Sequence, residues 1–94
     1  MNVSRGKFAG LGSGSTQSLV TYADPQQRVA VSLANRGADP VVVEMLGGNG
    51  RVVTRFTFAP NPSAVRRQAN DVQSVRIDPQ QGADCDFDYE IEAS

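Results

Sequence analysis

Between Asp84 and Glu92 the chain alternates without a break. Cys85, Phe87, Tyr89 and Ile91 take one set of positions; Asp84, Asp86, Asp88, Glu90 and Glu92 take the other. Side chains two apart share a face on a strand and diverge on a helix, so this stretch reads as a half-buried β-strand. The same period recurs upstream. Arg28–Asn35 aligns Val29, Val31 and Leu33, and Val41–Leu46 aligns Val41, Val43 and Met45. Arg51–Ala59 aligns Val52, Thr54, Phe56 and Phe58, and Val72–Ile77 carries Val75 and Ile77. Ser18–Ala23 is a further short strand.

Turn chemistry separates these runs. Asp24-Pro25-Gln26-Gln27, Asn35–Pro40, Pro60-Asn61-Pro62 and Asp78–Gly82 all carry residues that fix or permit turn dihedrals. Gly47-Gly48-Asn49-Gly50 is the strongest hairpin signal, because Asn-Gly tolerates the positive φ angles of a type I′ turn. Ser63–Asn70 reads as an edge strand or irregular loop, since seven or eight residues are too few for an unsupported helix. The tetrapeptide Asp-Pro-Gln-Gln occurs at 24–27 and at 78–81, but its flanks differ, so it marks shared turn chemistry and not a repeat.

Short strands at regular spacing, with no long helical crossover between them, define an all-β chain. The expected fold is a small antiparallel β-sandwich of six to seven short strands over residues 17–94. The layout of residues 18–93 resembles the Ig-like and jelly-roll-like class of small sandwiches, in architecture and without a diagnostic motif. Residues 1–16 hold four glycines and four serines or threonines, with Val3, Phe8 and Leu11 as the sizeable apolar groups. Such a segment offsets its ordering entropy poorly, so it reads as a flexible N-terminal arm. Phe8 and Leu11 are then its anchors on a protein partner.

Composition removes most catalytic classes. With no histidine among 94 residues, Ser-His and Cys-His nucleophile pairs and histidine metal sites are absent. One cysteine cannot form an internal disulfide or a thiolate zinc cluster. Asp84, Asp86 and Asp88 lack the glycine and terminal glutamate of a calcium loop. Gly10–Gly14 lacks the Lys-Ser/Thr of a phosphate loop. No catalytic, cofactor-binding or metal-ligating residue is therefore assigned, and the chain is read as a non-enzyme without cofactor. Cys85 alternates with core residues and reads as a buried small hydrophobe.

Charge carries more information. Residues 51–76 hold Arg51, Arg55, Arg66, Arg67 and Arg76 against Asp71, a local balance of +4, whereas residues 84–92 carry −5. The two groups either pair across neighbouring strands or join one copy to the next, and both sets are candidate interface residues. A net charge of −1 and aromatics in core register argue against nucleic acid as partner. No apolar run is long enough for a membrane span, and Met1–Gly10 lacks the core of a secretory signal, so cytoplasmic synthesis is expected. The functional expectation is a noncatalytic structural protein that forms a homo-oligomer and docks on a larger assembly. Its most concrete form is capsid decoration or another accessory role in a phage-type virion. The alternative is a ligand-binding module of the carbohydrate-binding kind, with no tryptophan to stack on a sugar.

Overall fold

The computed structural model describes residues 2–94, which form one six-stranded antiparallel sheet folded into a small β-sandwich. The strands are β1 (Asn2–Leu11), β2 (Gln17–Asn35), β3 (Val41–Leu46), β4 (Val52–Phe58), β5 (Asn61–Ile77) and β6 (Asp84–Ala93), in the order β1-β6-β2-β5-β3-β4. Two long strands make the sandwich. The second half of β2 lies between β6 and the first half of β5, as in Val31↔Ile91 and Val31↔Arg67. The first part of β2 pairs with the second half of β5, which itself pairs with β3. One layer is therefore β1, β6 and the adjoining halves of β2 and β5; the other is their remaining halves with β3 and β4.

The passage between layers is a corner in both strands. The β2–β5 register slips between Thr21 and Gln26, where Pro25 sits, and Asp71 opposite adopts a φ of 57°. Aspartate tolerates this left-handed region better than most residues. Here the structure departs from the turn expected at Asp24–Gln27: Ser18–Ala23 and Arg28–Asn35 are one strand interrupted by a bulge. Ser63–Asn70 and Val72–Ile77 likewise join as β5, the former being the edge strand expected. A bulge that re-aims a strand uses the same proline and acidic residues as a turn.

The core lies between the layers. Val29, Val31, Leu33, Val41, Val43, Phe58, Val75, Ile77, Phe87 and Ile91 are buried as the alternation requires, and so is Cys85. Tyr22, Met45 and Val72 join them. Phe56 and Tyr89 are packed against this cluster but only half-buried. Tyr89 lies over Gly6 of β1, its partner in register, and a β-carbon at Gly6 would overlap the ring. Asn35 is the buried polar anchor: its amide nitrogen donates to the carbonyls of Asp39 (2.9 Å) and Phe58 (3.1 Å), and its oxygen accepts from Gly37 N–H.

Two further expectations need correction. Residues 2–11 are not a free arm here: β1 pairs with β6 from Asn2↔Ala93 to Leu11↔Asp84. Phe8 stacks on buried Phe87 at 5.5 Å, while Leu11 is 73% exposed. The backbone ladder and one aromatic anchor order a segment whose apolar content looked too low. The β3–β4 hairpin is also not type I′. Gly50 has φ 78°, but no positive φ occurs at Asn49, Gly50 N–H bonds the Gly47 carbonyl at 3.0 Å, and Gly47 N–H bonds that of Arg51 at 2.9 Å. That is a type I turn closed by a left-handed glycine, with a register slip beside it between Met45 and Leu46.

Candidate functional site

The outer face of the β1–β6–β2–β5 layer gathers most of the charge. The outward row of β6 is its acidic side, and each neighbouring element supplies an arginine. Arg5 of β1 stands opposite Glu90 in register and its Nε donates to Glu90 Oε2 at 2.8 Å. Arg66 of β5 reaches Glu92 at 3.4 Å across the small Ala30 and Ser32 of β2. Arg36, in the β2–β3 connection, spans Asp88 (2.6 Å) and Asp86 (3.2 Å). Asp84 accepts from Ala38 N–H at 3.2 Å while its own N–H donates to Asp39 at 2.7 Å, which ties that connection to β6.

The arginine partners lower the carboxylates they touch. Arg36 holds Asp88, and Arg5 holds Glu90, below the ordinary carboxylate range, chiefly by hydrogen bonding. Because these pairs are largely exposed, each contributes little to stability. Along β2 the side chains of Ala30, Ser32 and Ala34 are short, and an open recess of about 410 Å³ lies over Ser32 and Ala34 between Arg5, Ala64 and Glu90.

The other layer carries a different charge arrangement. Glu44 on β3 is 1% exposed, yet it lies on the outward row between Arg55 of β4 and Arg76 of β5. Arg55 bonds Glu44 Oε2, and Arg76 Nε donates to Oε1 at 2.8 Å. The hydrogen bond from Arg55 is the main cause of a lowered Glu44 pKa; burial opposes it and Arg76 reinforces it. The two guanidinium groups cover the carboxylate from above.

Eight of the ten charged residues singled out from sequence thus separate into two clusters. Arg66 and the acids of β6 meet on one face; Arg55 and Arg76 meet Glu44 on the other. Arg51 and Arg67 are exposed and, among the described residues, touch no carboxylate; Arg67 donates to the Arg66 carbonyl. Sequence reading missed Arg5, Arg36 and Glu44. Glu44 does alternate outward in Val41–Leu46, but its two arginines become neighbours only once β3 is known to lie between β4 and β5. Cys85 is 3% exposed and its thiol pKa is pushed up, first by burial and then by Asp39 and Asp84. That is the setting of a packing residue and not of a nucleophile.

Strand edges are the remaining surface feature. Among the described residues, β1, β4, Asn61–Asn70 of β5 and Gln17–Thr21 of β2 each pair on one side only. Unpaired strand edges are templates for further strands.

Fold and surface together define a small antiparallel β-sandwich with internally paired charge and open edges. No family model matches the chain, and no curated protein matches it. Among solved structures, a protein of Bacillus endospore appendages, described as disulfide-linked pili, superposes with a TM-score of 0.67 at 14% identity, covering 96% of this chain and 83% of its own. PirA superposes at 0.61 with 14% identity, covering 96% and 93%. The SPBc2 prophage-derived protein YomS superposes at 0.53 with 7% identity, covering 100% and 96%. At these identities the likeness is one of fold.

Proposed function

We propose that this chain is a noncatalytic assembly module, a β-sandwich protomer that self-associates and docks on a larger particle. Its most concrete form is an accessory or decoration protein of a phage-type virion. The observation that carries this reading is the set of strand edges left open on both layers of so small a domain. Many of the charges on both outer faces are paired within the chain, which leaves backbone pairing as the feature best suited to specific association. The same fold serves a pilus-forming appendage and a prophage-derived protein, which supports the reading by analogy of architecture.

Sedimentation velocity from low micromolar to near-millimolar concentration tests it. The expected result is a concentration-dependent oligomer. A monomer throughout, retained on an insoluble polysaccharide, would replace this reading with a carbohydrate-binding one. A monomer that binds nothing would remove self-association from it.

A further inference from the structure

The four open edges are not equally guarded. The free half of β5 carries Pro62, Arg66 and Arg67, and β1 carries Arg5 and Lys7 with glycines at 6 and 10. The open part of β2, Gln17–Thr21, is only five residues long and runs into the Pro25 corner. Charged side chains, proline and shortness are the usual protections of an edge. β4 reads Val52-Val53-Thr54-Arg55-Phe56-Thr57-Phe58, with neither glycine nor proline and six residues of high strand preference. Its one charge is engaged, because the Arg55 guanidinium is bonded to buried Glu44 on β3. Val52 and Val53 are 44% and 48% exposed, and Phe56 is half-buried.

The edge is also complementary to itself. Laid antiparallel against its own copy about Phe56, it sets Phe56 opposite Phe56, Arg55 opposite Thr57 and Thr54 opposite Phe58. Val53 then meets Ala59, and Val52 meets Pro60. Centring the pair on Arg55 instead would oppose two arginines, which is destabilising. Centring it on Thr54 would carry the register slip beside Val52 into the middle of the ladder. The Phe56 register keeps the regular stretch Thr54–Phe58 in the ladder, with Val52 and Val53 beside the residues that follow β4, and opposes no like charges.

We infer that β4 is the edge through which two copies of this chain associate, pairing antiparallel about a two-fold axis at Phe56. The β3–β4 layer then continues across the dimer, an isologous contact that closes on itself. This rests on the self-association reading and names its interface. Strand pairing alone buries less than the roughly 1,200–2,000 Å² of a standard interface, so the dimer forms only as concentration rises.

Thiol cross-linking tests the register, since the native Cys85 is buried. Val53→Cys and Ala59→Cys proteins should cross-link under mild oxidation when mixed, and neither should do so alone. Thr57→Lys, at an exposed site, would set a lysine against Arg55 of the other copy. It should weaken dimerisation at least tenfold while the melting temperature stays unchanged. Wild-type association that Thr57→Lys leaves intact overturns the β4 assignment and spares the broader reading. Cross-linking that is equal in the mixed and single samples, or absent from all of them, overturns the Phe56 register. A wild-type protein that stays monomeric at near-millimolar concentration overturns both readings.

Discussion

Truncating Phe8 asks whether β1 is part of the folded domain. Its ring is half-buried, stacked on Phe87 at 5.5 Å with planes 13° apart. A fully buried Phe→Ala change costs about 3–5 kcal/mol with its aromatic contacts included, so half burial leaves about 2 kcal/mol. For a domain of this size that lowers Tm by about 8–16 °C. Leu11→Ala is the internal control, because a side chain 73% exposed should leave Tm almost unchanged. Differential scanning calorimetry of both variants measures the contrast, and a cycle with Phe87→Ala should give a coupling of about 0.5–1.5 kcal/mol. If Phe8→Ala melted like the wild type, β1 would contribute nothing to the domain and the segment would behave as a tethered arm.

Glu44→Gln should destabilise by about 2 kcal/mol, less than the 3–5 kcal/mol of a wholly enclosed ion pair because Arg55 is largely exposed. Its folded pKa lies below the unfolded one, so its contribution is complete above about pH 4.3 and is lost as pH falls through the folded value. Urea titrations at neutral and acidic pH should therefore show a flatter acid limb in this variant. Among the described residues the buried Tyr22 hydroxyl has no hydrogen-bond partner, so Tyr22→Phe should be neutral or should stabilise by about 1 kcal/mol in the same assay. Asp71→Gly relieves a left-handed φ on an exposed residue and should raise stability by up to about 1 kcal/mol; a loss would mean that the aspartate side chain holds the corner.

Alternation was legible wherever a strand had one wet and one dry face. In β6, Cys85, Phe87 and Ile91 are buried as the pattern requires, while Tyr89, lying over Gly6, is half-buried. Continuity was not legible. Proline and aspartate at 24–25 signal a change of direction, and a corner within a strand and a turn between strands satisfy that signal equally. β1 was hidden for another reason: its order comes from a backbone ladder with β6 and from the single aromatic anchor Phe8, and neither leaves an apolar periodicity. The acids of β6 and the arginines upstream were visible as opposing blocks. Which arginine meets which acid depends on strand order, and so Arg36 and the Glu44 cluster emerged only from the fold.

The placement of β6 between β1 and β2 has a consequence for how the chain acquires its shape. The last strand in chain order fills the central gap of its layer, so β1 has no neighbour to pair with until β6 has left the ribosome. Nearly all the contacts that close this layer join residues far apart in sequence, as in Asn2↔Ala93. Such topologies fold slowly, on about the millisecond-to-second scale, because loop closure precedes the pairing that rewards it. During synthesis, β2 through β5 can assemble first around their shared corner, presenting an open edge along Val29, Val31 and Leu33. Completion of the domain is then a late addition of β6 to that edge, with β1 docking on the newly seated strand as the final step.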